Sequence, residues 1–514
     1  MKYIFLLISL FTFNFLQAQV TGVVKDAAGE PIPGANVFWM NTTNGVTTNE
    51  DGNFSIHKPA RSHMLVVSFI GFENDTIHVD KGNQQLDIVL REGVELSEVN
   101  VVTRKLGTMK LRTSVMNEDM ISSAELTRAA CCNLGESFVT NPSVDVSYSD
   151  AATGAKQIKL LGLSGTYVQM MTENIPNFRG AAAPYGLGYV PGPWMQSIQV
   201  SKGSSSVKNG YESITGQINV EFKKPQLPEA DWVSANLFAS STNRYEANAD
   251  ATVKLSKRWS TSLLAHYENE TKSHDSNDDG FVDIPRVEQY NVWNRWAYMG
   301  DHYVFQAGIK ALHETRNSGQ IAHGNTPSHD LYEIGIKTNR YEAFTKNAYI
   351  FDKEKNTNLA LILQGTLHNQ DANYGRKLYD VDQSNFYASL LFETELSKQH
   401  SLSAGLSFNY DGYDQNYRLT NQAEEGLTKK FVKESVPGAY VQYTFNLNDQ
   451  LMLMGGIRGD YSSEYGFFVT PRAHVKYNPN EYLHFRLSAG KGYRTNHVLA
   501  ENNYLLASSR KMKI

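Results

Sequence analysis

From Trp232 onward, apolar side chains recur at every second position in runs of about ten residues, and the runs repeat. Ser401–Tyr410 places Leu402, Ala404, Leu406, Phe408 and Tyr410 on one face, with serine, glycine and asparagine on the other. The same alternation carries Tyr303, Phe305, Ala307 and Ile309, and Leu359, Leu361 and Leu363. It returns at Phe386, Ala388, Leu390 and Phe392, and at Leu483, Phe485, Leu487 and Ala489. A period of two with tyrosine near the strand ends suits strands that cross a hydrocarbon layer, with rings at its boundaries with water. Tyrosine leads the aromatic residues, 28 beside 24 phenylalanines and 6 tryptophans, so composition agrees with pattern. Residues 229–514 are therefore expected to form antiparallel transmembrane β-barrel strands, and the fold class is mainly β.

The N-terminus says how such a chain reaches a membrane. Met1-Lys2 carries one positive charge, Tyr3 to Leu16 is largely apolar, and Leu16-Gln17-Ala18 supplies a small residue, so residues 1–18 read as a secretory signal peptide cleaved after Ala18. No cysteine stands at that cleavage site to take a lipid. No later segment is long and apolar enough for a membrane helix, which leaves a barrel as the way to span lipid. A net charge of −5 with 20% charged residues gives no electrostatic reason to expect nucleic acid. Adjacent Cys131 and Cys132 are the chain's two cysteines, too few for a disulfide framework or a four-cysteine zinc site.

Residues 20–92 read as about seven short strands in a small sandwich, punctuated by turns such as Asn49-Glu50-Asp51-Gly52. The phrases V-T-G-V-V-K-D-A-A-G-E-P-I-P-G-A-N-V (20–37), T-N-E-D-G-N-F-S-I (48–56) and S-F-I-G-F-E (68–73) resemble the carboxypeptidase-regulatory-like domain. The resemblance implies an accessory periplasmic module without catalytic residues. Residues 94–104 follow, and Glu95, Leu96, Ser97, Glu98, Val99, Asn100, Val101, Val102 and Thr103 resemble a TonB box. An extended segment of this kind can add as a strand to a partner's open sheet edge.

Residues 108–225 carry a further ordered set of motifs. L-G-E-S-F-V-T-N-P-S-V-D-V (134–146), Q-I-K-L-L-G-L (157–163) and V-Q-M-M-T-E-N-I-P (168–176) precede S-I-Q-V-S-K-G (197–203), Asn209-Gly210-Tyr211 and I-T-G-Q-I-N-V (214–220). These resemble the plug of a TonB-dependent outer-membrane receptor, and signal, sandwich, box, plug and strands follow in that family's order. The resemblance implies an α+β plug inside the barrel, energy delivered by the inner-membrane TonB complex, and no enzymatic activity. Three positions depart from the family pattern: Leu161 for arginine, Glu173-Asn174 for Asp-Gly, and Gln217 for glycine.

Between these motifs, residues 177–194 form a Gly/Pro/aromatic loop that reads as too irregular for core. Asn177, Phe178, Arg179, Tyr185, Tyr189 and Trp194 are its candidate ligand contacts, with packing against the barrel wall the equal alternative. Asp275, Asn277, Asp279 and Asp283, with Gly280, have the oxygen spacing of a short calcium loop, although Arg286 stands where an EF-hand has its glutamate. Cys131, Cys132, Met170, Met171 and Met195 are soft donors, more simply read as buried thiols and packing methionines. His302, His313, His323, His329 and His368 show no paired spacing for zinc, and no phosphate loop, Gly-x-Ser-x-Gly or His-Glu-x-x-His motif supports an enzyme.

The reading that follows is an outer-membrane receptor for active uptake of a scarce ligand, a ferric siderophore or other metal chelate first. A glycan or oligopeptide importer working with a surface lipoprotein, or a non-transporting adhesin, are the alternatives. About 11 to 14 strands fit after residue 229, against 22 in plugged transporters. The sequence thus reads as a partial barrel whose final strand, near Tyr482 to Gly490, leaves an open edge, and a product of this length is expected to aggregate rather than assemble.

Overall fold

The computed structural model describes residues 19–512 except 27–28, 41–44, 50, 59–62, 70–71, 73–74, 80–84, 91–107, 112–113, 130–131, 140, 226–231, 322–330, 422–425, 448–449, 481–482 and 511. The signal peptide, the TonB-box-like residues 95–103, Cys131, His323 and His329 therefore lie outside the described residues. The chain divides after Arg104 into two units.

In the first unit, Gln19–Lys25, Asn36–Trp39 and Asn53–His57 turn every second residue inward, as two packed sheets require. Gln19–Lys25 lies between antiparallel Asn53–His57 and parallel Gln85–Val89. The second sheet runs Gly45–Thr47, Asn36–Trp39, Met64–Ser68 and Asp75–His78. Val20, Val24, Val37, Trp39, Phe54, Ile56, Leu65, Val67 and Ile88 meet in the core between them. The Asn49 side chain accepts from the backbone N–H groups of Asp51 and Asn53, and Gly52 takes a φ of +72°, so the hairpin turn is built by the residues that signal it.

The second unit begins with the plug, a six-stranded sheet in the order Ile175–Pro176, Val168–Thr172, Gly216–Phe222, Met195–Lys202, Asn117–Ser122 and Thr108–Lys110. Gly216–Phe222 is buried along its whole length between a parallel and an antiparallel neighbour. A Cβ at Gly216 would collide with the Ser201 carbonyl and the Leu160 side chain, which is why glycine opens this strand. The hairpin of Val144–Asp150 and Ala155–Leu160 forms a separate two-stranded sheet.

Around the plug stand thirteen antiparallel strands in chain order, from Trp232–Ala239 to Phe485–Gly490, a number within the expected range. Among the described residues, these first and last strands are each paired on one side. The strands reach 21 residues at Lys377–Ser397. Their alternation separates two surfaces: Ile309 is 71% exposed while Lys310, next in sequence, is 4% exposed. Leu367, Phe386, Leu406 and Ile457 join Ile309 outside, whereas Arg295, Arg340, Asp411, Arg458 and Arg472 point into the lumen. The connections 255–258, 300–302, 353–356 and 398–399 are short and share one end of the barrel, while 271–285, 320–332 and 419–427 are longer and share the other. In transmembrane barrels the longer connections mark the extracellular end.

This arrangement makes the outer face a solvent contact for lipid. Replacing Ile309 by lysine is expected to destabilise the barrel by about 2–4 kcal/mol in a bilayer, the cost of a cation at mid-membrane depth. Urea unfolding from lipid vesicles, followed by heat-modifiable gel mobility of the full-length receptor, measures this.

Candidate functional site

Charges that line a lumen filled by another domain need partners, because an unpaired buried ion costs several kcal/mol. The plug provides them. Arg295, 1% exposed, places Nη2 2.6 Å from Glu173 Oε1, donates from Nη1 to the Lys223 carbonyl, and lies over the Trp293 ring. Lys346 stands 3.6 Å from the other Glu173 oxygen. Arg179 of the plug bridges Glu212 at 3.0 Å and Asp411 of the barrel at 3.2 Å. Burial opposes its charge, but those two carboxylates outweigh burial and raise its pKa. Asn177 donates to Glu342 and accepts from Arg340. Further round the wall, Lys208 pairs with Glu393, Ser206 bonds Gln442, and Arg472 donates to the carbonyls of Ser206 and Tyr211.

The turn that presents Glu173 explains one departure from the family pattern. Glu173 and Asn174 have φ of +51° and +61°, the left-handed pair of a tight hairpin turn. Asparagine tolerates this conformation, but glutamate pays about 1–2 kcal/mol for it. The Glu173 N–H bond to the Val220 carbonyl and the ion pair with Arg295 offset that strain. The extra methylene relative to aspartate carries the carboxylate to the barrel wall. Burial and the neighbouring Glu173 hold Glu221 above the usual carboxylate range, with Lys224 2.9 Å away. Gln217, a second departure, is buried and accepts from Asn209. Leu161, the third, is 61% exposed in a turn with φ of +56°.

The loop 177–194, read from sequence as too irregular for core, is core. It winds through three short 3-10 turns, Gly180–Ala182, Gly186–Tyr189 and Gly192–Trp194. Small residues bring its backbone against the wall: a Cβ at Gly180, φ +58°, would strike Tyr413 and Gln383. Lumen side chains then satisfy its polar backbone, as Gln383 accepts from the Ala181 N–H while Asn291 and Lys310 donate to the Tyr189 carbonyl. Trp194 packs beside Trp293 and His266, and Tyr189 beside His368. Tyr185, its pKa pushed up to about 12 by burial, bonds Asn503 and lies under the Arg316 guanidinium.

Tyr185 also lines a cavity of about 380 Å³ at the end with the long connections. Cys132, Glu136, Tyr148 and Lys156 line it from the plug, and Arg244, Glu268, Glu270, Gln289, Glu314 and Arg316 from the barrel. Arg244 holds three carboxylates, Glu136 at 2.9 Å, Glu246 at 2.7 Å and Glu268 at 2.9 Å, so it ties plug to barrel at the cavity wall. Arg316 pairs with Glu314 at 3.0 Å. Asn177, Phe178 and Arg179 line a second cavity of about 90 Å³, shared with Lys156. The sequence reading missed the barrel side of the larger cavity. Its only signal there is charge at inward positions of the alternating strands, which no motif marks.

In the loop after Glu270, Asp275 accepts from the backbone N–H groups of Asp279 and Gly280, Asp279 from Phe281, and Asp283 from Ser276. Asn277 bonds Asp279. The loop's own backbone thus engages the oxygens singled out for calcium. Among the described residues, no three His, Cys, Asp or Glu side chains are grouped to hold a metal ion. Cys132 is buried, its thiol pKa raised by burial and then by Glu246, and Met171 and Met195 pack in the plug core. His302, His313 and His368 sit apart: His302 bonds a carbonyl, His313 bonds Asn339, and His368 is buried.

The family model for the TonB-dependent receptor-like β-barrel matches residues 200–506, that for the TonB-dependent receptor plug domain residues 110–217, and that for the CarboxypepD_reg-like domain residues 20–102. The chain belongs to the TonB-dependent receptors. Among curated proteins it is similar to the TonB-dependent receptor SusC of Bacteroides thetaiotaomicron, 28% identical over 245 residues, 45% of this chain and 24% of SusC. It is also similar to the TonB-dependent receptor P39 of Formosa agariphila, 39% identical over 100 residues, 19% of this chain and 10% of P39. The matches thus span at most a quarter of these relatives' lengths. Among solved structures, the siderophore receptor PirA from Acinetobacter baumannii superposes with a TM-score of 0.61 at 15% identity, over 76% of this chain and 63% of PirA.

Because Glu173 is paired where water is excluded, Arg295→Met in the full-length receptor is expected to weaken plug seating by about 3–5 kcal/mol. Limited proteolysis of the plug under increasing urea reads this, and Arg258→Met, which removes an exposed pair with Asp301, is expected to leave it unchanged.

Proposed function

We propose that this protein is an outer-membrane receptor that binds a polar ligand in the cavity walled by Arg244, Arg316 and Tyr185 and imports it with energy passed through TonB. The observation that carries the reading is the seating of the plug. Ion pairs run from the plug to barrel strands around the lumen, fully buried at Arg295, nearly so at Asp411, and half-buried at Glu393 and Arg244. In a closed barrel a ligand held above such a plug passes only if the plug rearranges, and breaking buried pairs calls for an energy source outside the binding step. The residues that resemble a TonB box, 95–103, stand just before the plug in sequence, where strand addition to TonB would pull on it.

For the ligand we favour a metal chelate. The cavity's volume lies in the range of about 300–1,000 Å³ typical of small-molecule pockets, and its lining mixes paired ions with the Tyr148 and Tyr185 rings. A glycan or oligopeptide delivered by a surface lipoprotein is the second reading, favoured by similarity to SusC at 28% identity against 15% for PirA.

Deleting residues 95–103 from the full-length receptor is expected to abolish uptake while leaving ligand binding intact. Growth of a receptor-deletion strain on defined iron, copper, haem or glycan sources identifies the ligand to be followed. Uptake that survives the deletion would refute coupling through TonB, and release of the receptor from membranes by carbonate would refute an integral barrel.

A further inference from the structure

Five lysine and arginine side chains line the two cavities, and Lys156 borders both. Arg244 is matched by Glu136, Glu246 and Glu268, and Arg316 by Glu314. Arg179 is matched by Glu212 and Asp411, and Arg494 by Glu501. Lys156 is different. Its ammonium lies 5.3 Å from the centre of the Tyr148 ring, and it has no ion-pair partner among the described residues.

The fold fixes it there. Lys156 sits on the plug hairpin directly opposite Tyr148, and its N–H is bonded to the Pro184 carbonyl. Its stem passes close to Gly135, where a Cβ would stand 3.3 Å from Lys156 Cδ. Burial lowers its pKa, the pull of Glu136 favours its charge, and Arg244 and Arg316 disfavour it. The carboxylates nearest to it are already committed: Glu136 and Glu268 hold Arg244. Glu270, the remaining carboxylate of the lining, stands on the barrel wall opposite Arg244 in the strand register rather than on the hairpin. A partly buried ammonium without a counter-ion is unfavourable, and groups perturbed in this way inside a cleft concentrate at functional sites.

We propose that Lys156 binds an oxyanion of the imported ligand, a carboxylate or an equivalent negatively charged oxygen, with the half-exposed Tyr148 ring beside it to cover an apolar part of the same molecule. The inference rests on the reading of the larger cavity as the ligand site. It narrows the ligand to an acidic compound, such as a carboxylate-bearing chelate, and excludes an uncharged glycan. The ligand's oxyanion gives Lys156 the close counter-ion that the lining carboxylates, held by Arg244 and Arg316 or set on the barrel wall, do not, so affinity depends on the ammonium and not on the stem.

The test is calorimetric titration of the full-length receptor in detergent with citrate, alone and as its ferric complex, and with maltoheptaose as an uncharged probe. Citrate or ferric citrate is expected to bind, Lys156→Gln to weaken that binding at least tenfold, and Lys156→Arg to restore most of it. Maltoheptaose is expected not to bind. Unchanged affinity for citrate in Lys156→Gln, absence of citrate binding at millimolar concentration, or binding of maltoheptaose would each overturn the proposal. Heat-modifiable gel mobility confirms that the variants are folded. If uptake depends on residues 95–103 but ignores Lys156→Gln, this inference fails while the transport reading stands. If uptake ignores both changes, the transport reading fails first.

Discussion

Hydrocarbon offers a peptide group nothing to bond with, so strands that cross it bond to their neighbours and turn their apolar side chains outward. That constraint organises the rest of the molecule. With Ile309, Leu367 and Leu406 committed to the outer face, the alternate positions fall inside, where Arg295, Lys310, Arg340, Asp411 and Arg472 collect. A lumen so charged can be filled by a folded domain only if that domain brings matching groups. The plug brings Glu173, Arg179, Asn177, Lys208 and the carbonyls of the 205–213 loop. Strand alternation and plug seating are two consequences of one solvent.

The same pairing makes the plug a controlled obstruction. Each buried pair is weak evidence for net stability, since desolvation offsets most of its attraction, but breaking one while water is excluded is expensive. The obstruction therefore holds firmly when dry and loosens if the interface is opened enough for water to enter. A pull on the segment before the plug would act in that way. The Arg244 contact to Glu136 lies at the wall of the outward cavity, so an occupant there touches one of the contacts that seat the plug.

Much of this was legible in the sequence. Strands such as 401–410 and 303–309 alternate so regularly that the apolar face follows from the letters alone, and the structure leaves Leu406 and Ile309 of that face exposed. The plug strands were marked by glycines whose need is visible in space, as at Gly216. The loop 177–194 was read half correctly. Its glycines, prolines and rings signalled irregular backbone, and irregular backbone is ordinarily exposed because its polar groups need water. Here Gln383, Asn291 and Lys310 take the place of water, and those residues lie more than a hundred positions away in chains of alternation that carry no motif. The cavity was obscure for the same reason. Arg244, Glu268, Glu314 and Arg316 are ordinary inward residues until three-dimensional pairing brings them beside Lys156 and Tyr185.

The central claim is that the plug seals the lumen and must move for the ligand to pass. A Cβ at Gly490, on the last described barrel strand, would stand 3.0 Å from the Cβ of Ser204 in the plug and 2.8 Å from Arg472 Cγ, so a disulfide between the two positions forms once the Arg472 side chain shifts and the backbones part by several tenths of an ångström. The measurement is ligand uptake by cells carrying the full-length receptor with Ser204→Cys and Gly490→Cys, in a background where Cys131 and Cys132 are alanine. With the plug tethered under oxidising conditions, binding is expected to persist and uptake to stop, and reduction is expected to restore uptake. Uptake that continues at the same rate in the oxidised receptor would contradict the account.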